Sequence, residues 1–128
     1  MARMHHNLRV WQDAMTLVKQ TYALTQSFPK EETYGLTLQL RRAAISVPSN
    51  IAEGAARLSQ KEFIQYLAVA RGSLSELETQ ALIAKELGYI HPENLPGALI
   101  EQLYGELNAL INSMRKKEYE RSETTPHP

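Results

Sequence analysis

Cysteine is absent from the 128 residues. Disulfide scaffolds, zinc–thiolate sites and thiol nucleophiles are thereby excluded, and the composition agrees with a reducing, cytoplasmic setting. No apolar run approaches the roughly 18 residues that a membrane span requires, so no membrane partner is expected. The opening residues, Met1-Ala2-Arg3-Met4-His5-His6, contain no apolar signal core. Net charge is also missing: 14 basic side chains balance 14 acidic ones. A dedicated non-specific nucleic-acid binder draws its affinity from an excess of cations, which the chain as a whole lacks.

The usual marks of catalysis are missing too. There is no Gly-rich phosphate loop and no Gly-x-Ser-x-Gly elbow. A carboxylate metal site inside a helical bundle needs inward glutamates with histidines three residues further on. None of His5, His6, His91 and His127 follows a glutamate at that spacing. The serines have no paired histidine and read as caps or surface residues. No catalytic residue, metal or cofactor is expected, and the chain is not read as an enzyme.

What is present is helical periodicity punctuated by proline and glycine. In the first helix, about 8–27, Trp11, Met15, Val18, Tyr22 and Thr25 recur at spacings of three and four, with Asn7 as N-cap and Pro29 ending the run. The second, about 31–57, starts with Glu31 and Glu32 in a first turn where carboxylates suit the helix dipole. Pro48 interrupts it, which reads either as a kink or as two shorter helices. In the third, Ser59-Gln60-Lys61-Glu62 forms a capping box, Phe63, Leu67, Ala70, Leu74, Leu77, Ala81 and Ala84 form a seam, and Gly88 provides a left-handed stop. The fourth presents Leu99, Leu103, Leu107, Leu110 and Met114. Short connections make sequential helices antiparallel neighbours. The expected fold is all-α, an antiparallel up-down four-helix bundle over 8–118, with a flexible segment 1–7 and a disordered polar tail 119–128.

The second helix carries more apolar surface than one stripe. Tyr34, Leu38, Ile45, Ile51, Ala52 and Ala55 form one set; Leu36, Leu40, Ala43, Val47 and Gly54 form another. An ordinary surface helix needs only one stripe. The second set therefore points to a subunit interface in a homo-oligomer, unless Pro48 turns the two halves toward different faces.

Arg42, Ser46, Asn50, Glu53 and Arg57 follow each other at helical spacing. They read as a solvated face, as a polar groove or interface network, or as groups satisfying carbonyls that Pro48 frees. For nucleic acid the candidates are Arg41, Arg42, Arg57, Arg71 and the run Arg115, Lys116, Lys117. That run also suits the negative end of a helix dipole. Residues 1–58 hold seven basic and four acidic side chains, and residues 59–128 seven and ten, so the halves carry +3 and −3.

Several segments resemble the 23S rRNA intervening-sequence proteins, a bacterial family of small four-helix bundles. They include Leu8-Arg9-Val10-Trp11-Gln12-Asp13-Ala14-Met15, Tyr34-Gly35-Leu36, and Gln39-Leu40-Arg41-Arg42-Ala43-Ala44. The most specific is Ser46-Val47-Pro48-Ser49-Asn50-Ile51-Ala52-Glu53-Gly54 followed by Arg57. Glu62-Phe63, Gly72-Ser73, Glu76-Leu77-Glu78-Thr79 and Leu87-Gly88-Tyr89 extend the likeness to about residues 8–115. The resemblance implies a kinked second helix and a homopentameric ring. It also implies kinship with accessory proteins of diversity-generating retroelements, whose partners are nucleic acid and reverse transcriptase. It supplies no catalytic residues. Two functions follow as expectations: an oligomeric scaffold binding RNA, DNA or a nucleoprotein through basic residues of the second helix, or a protein-interaction scaffold without nucleic acid.

Overall fold

The structure, a computed structural model, describes residues 3–124. Four helices carry the fold: α1 (Arg9–Thr25), α2 (Leu36–Ala55), α3 (Gln60–Glu86) and α4 (Gly97–Thr124). Three 3-10 turns join or precede them, at Met4–Asn7, Lys30–Glu32 and Pro92–Asn94. The described residues contain no strand.

α3 ends where local chemistry dictates. The Ser59 hydroxyl accepts the Glu62 backbone N–H at 3.1 Å, relieving one orphan donor of the first turn. At the other end Gly88 has φ +81°, a conformation that L side chains avoid. The Gly88 N–H then donates to the Lys85 carbonyl and the Tyr89 N–H to the Ala84 carbonyl, both at 2.9 Å, which is the Schellman closure.

The starts of α1 and α2 differ from expectation. Leu8, not Asn7, is the N-cap of α1, and no side chain caps it. Residues 4–7 wind into a 3-10 turn, and the Leu8 N–H closes it on the His5 carbonyl, so Asn7 sits inside the turn rather than at the helix entrance. Glu31 and Glu32 likewise lie in the 3-10 turn Lys30–Glu32 and not in α2. Glu32 still serves that helix: its Oε1 accepts the Leu36 N–H at 3.1 Å, while its Oε2 accepts the Tyr89 hydroxyl at 3.2 Å. One carboxylate thus caps α2 and ties it to the segment after α3.

α2 is one continuous helix through Pro48, so the split reading falls. The stretch 119–124, read as disordered tail, continues α4. The rest of that tail, 125–128, and residues 1–2 lie outside the described residues.

α1 packs on α2 and α4, and α3 packs on α2 and α4. The α2–α3 contact is the most extensive and the α1–α4 seam the least. Leu17, Leu40, Val47, Ile51, Leu67, Leu74, Leu103 and Leu107 fill the centre. This overturns the interface assigned to one stripe of α2. Leu40, Ala43 and Val47 are 1%, 3% and 0% exposed within a single chain, and Leu36 packs half-buried against the same core. α2 is wedged between α1 and α3, so two of its sides are covered by its own chain. The close approach to α3 depends on Gly54: a Cβ there would stand 2.7 Å from Tyr66 Cβ and 2.9 Å from Phe63 Cδ1.

Candidate interaction surface

Of the other stripe, Ile51 is buried in the core, while Tyr34 and Ile45 stay exposed. Trp11, Met15 and Val18 of α1 face Ile45, Pro48 and Ala52 of α2 across a shallow depression of about 330 Å³, closed at one end by His5. Met15 is 37% exposed and Ile45 42%. The N-terminal turn lays His5 and His6 against the Trp11 indole, with ring centroids 5.1 and 4.9 Å away. Burial, then the neighbouring His6 and Arg3, lower the pKa of His5, so that ring stays neutral to a lower pH than a free imidazole would. At the opposite end Tyr22, 39% exposed, lies beneath the Arg41 guanidinium at 4.4 Å. Arg41 Nε also donates to the Thr25 hydroxyl at 2.9 Å. The strip thus has an aromatic rim at each end and aliphatic groups between.

The polar stripe of α2 turns toward α3 for half its length. The Ser46 and Ser73 hydroxyls are hydrogen-bonded at 2.7 Å, and the Asn50 amide donates to both the hydroxyl and the carbonyl of Ser46. The carbonyl that Pro48 deprives of its donor belongs to Ala44, so Asn50 does not replace that bond. The stripe is a cross-link inside the subunit. Further along, Arg57 pairs with Glu53 at 2.9 Å, approaches Glu62 at 3.9 Å and donates to the Tyr66 hydroxyl. Tyr66 first, and Glu53 second, raise the guanidinium's pKa further above its ordinary value.

The stretch Ser46–Gly54 therefore lies in one proline-bearing helix, in which Ser46 bonds Ser73, Glu53 accepts from Tyr66 and Gly54 admits α3 closely, while Asn50 bonds back to Ser46. The family model described as "23S rRNA-intervening sequence protein" matches residues 6–113. The chain belongs to this family. Among solved structures it is similar to a protein of unknown function from the S23 ribosomal protein family of Bacteroides thetaiotaomicron. The two share 18% identity over 82% of this chain and 94% of that one, with a TM-score of 0.59, which is a likeness of fold. No curated protein matches the chain.

In this member of the 23S rRNA-intervening sequence family the basic residues do not converge. Arg41 is held against Tyr22 and Thr25 near the start of α2, whereas Arg57 lies about 20 Å further along that axis and is engaged by acids. Arg71 donates to Asn108 Oδ1 at 2.8 Å, bridging α3 and α4. Arg42 is exposed, as are Arg115, Lys116 and Lys117 on the part of α4 that runs beyond the core. Nor does any group of three or more histidine, aspartate or glutamate side chains among the described residues suit a metal ion. No helix of the described residues is long and apolar enough to cross a membrane. Reading the residues in sequence misses Ser73, Thr25 and Asn108, the partners that bind Ser46, Arg41 and Arg71. Ser73 and Asn108 are small polar residues on helices with nothing local to mark them, and Thr25 is visible only as a member of the apolar stripe of α1.

Proposed function

We propose that this protein is a non-enzymatic, self-associating helical bundle whose working surface is the exposed apolar strip of α1 and α2. The observation that carries this is Met15, Tyr22 and Ile45 standing partly uncovered in one continuous strip with Trp11, where water-exposed apolar area marks a contact surface. Its occupant is a second copy of the chain. α3 also exposes Val69 and Ile83, by 53% and 45%, about 21 Å apart along the helix, with Leu87, 54% exposed, just beyond its end. The halves bearing these two surfaces have opposite charge, +3 and −3. Two different complementary faces generate a closed ring when the rotation between copies closes, as the family resemblance implies for a pentamer. The up-down order of the helices is supported by Thr25 meeting Arg41, Ser46 meeting Ser73, Arg71 meeting Asn108, and Asp13 meeting Gln102.

Light scattering on the purified chain tests the proposal. The wild type is expected to elute at a small multiple of 14.5 kDa, and Ile45→Asp at the monomer mass with unchanged helicity. A wild type that stays monomeric at high micromolar concentration overturns it.

A second reading, RNA or DNA binding, rests on Arg42 and on the exposed Arg115, Lys116 and Lys117. It predicts that structured RNA binds at about 50 mM salt and weakens steeply as salt rises. Replacing residues 115–117 by alanine should lower that affinity, and an unchanged affinity counts against this reading.

A further inference from the structure

The α1–α4 seam contains a group of side chains that the interaction surface does not use. Asp13 projects from α1 and Glu106 from α4. Gln102 Nε2, one turn before Glu106, donates to Asp13 Oδ2 at 2.9 Å. Arg9 is the only cation near the pair among the described residues: its Nε stands 3.7 Å from Asp13 and 4.0 Å from Glu106. The Arg9 side chain is 81% exposed, whereas those of Asp13 and Glu106 are 21% and 20% exposed. Glu106 Oε1 is buried without a hydrogen-bond partner. Two half-buried carboxyls are thus served by one amide and one water-screened guanidinium.

We propose that this seam is a proton-operated latch, closed when Asp13 and Glu106 share one proton and loosened when both are ionised. A shared proton turns carboxylate repulsion into a hydrogen bond, whereas two ionised carboxyls repel each other in a seam that hydrates them only in part. The groups facing Glu106 agree. Burial first, then the hydrogen bond and the charge of Asp13, raise its pKa to about 7, and Arg9 opposes them. The folded value exceeds the ordinary 4.5. The latch's contribution to stability is therefore complete below about pH 4.5 and is lost as the pH rises through about 7. The effect falls on the least extensive of the helix contacts. α1 also carries Trp11 and Met15, so release of this seam frees one wall of the exposed strip. The latch itself does not depend on what that strip binds.

The test compares the full chain with Glu106→Gln by backbone hydrogen exchange in α1 and α4 at pH 5.5 and pH 8. The protection of the variant relative to wild type is expected to grow about tenfold or more between the two. A carbon-13 carboxyl titration of the wild type should place the Glu106 midpoint near 7, and Asp13→Asn should lower it. The titration keeps the test open even if the glutamine variant fails to fold. A wild-type midpoint in the ordinary glutamate range, a midpoint unmoved by Asp13→Asn, or a protection ratio independent of pH overturns the latch.

Discussion

At the scale of single residues, Gly54 marks a tight approach of α2 to α3. Gly54 is needed for space: its backbone lies against Tyr66 Cβ and Phe63, and both neighbours belong to the packed α2–α3 contact. Gly54→Ala is therefore expected to destabilise by about 1–3 kcal/mol, although alanine favours a helix more than glycine does. Thermal unfolding followed by circular dichroism checks this, and a stabilised variant would show that the contact yields easily. The sequence discloses Gly54 only through its place in the family-like stretch. The reason for glycine lies on another helix, at positions 63 and 66. The same holds for Arg41: its sequence neighbours suggest a free cation, but Tyr22 and Thr25 on α1 hold it.

At the scale of elements, the existence and order of all four helices were readable, as was each stop or cap whose chemistry is contained in a few consecutive residues. Ser59 with Glu62 and the glycine at 88 are of that kind. Helix starts that borrow a partner from elsewhere were not readable. Glu32 caps α2 from outside it while engaging Tyr89, which is 57 residues away. The two apolar stripes of α2 were visible, but Leu40, Ala43 and Val47 of the one assigned to a subunit contact are buried within the single chain. Periodicity counts apolar sides without saying which neighbour covers each. The corrected assignment changes what a mutation there should do. Val47, fully buried in the single chain, should not report on assembly alone. Val47→Asp places an unpaired charge in the core and is expected to abolish the fold. A variant that keeps its helical spectrum and cooperative melt as a monomer would show that this stripe is a subunit contact after all.

At the scale of the whole molecule, zero net charge conceals an unequal distribution: positive character in the first half and negative in the second. Such a distribution suits copies meeting by unlike faces and suits binding of a polyanion poorly, which is why self-association is preferred over the nucleic-acid reading. The architecture has a kinetic consequence as well. The most extensive packing joins α2 and α3, helices adjacent in sequence, with four residues between them. Contacts between chain neighbours lose little loop entropy on closing. The α2–α3 hairpin is therefore the natural nucleus of folding, and it can assemble on a growing polypeptide before α4 has been synthesised.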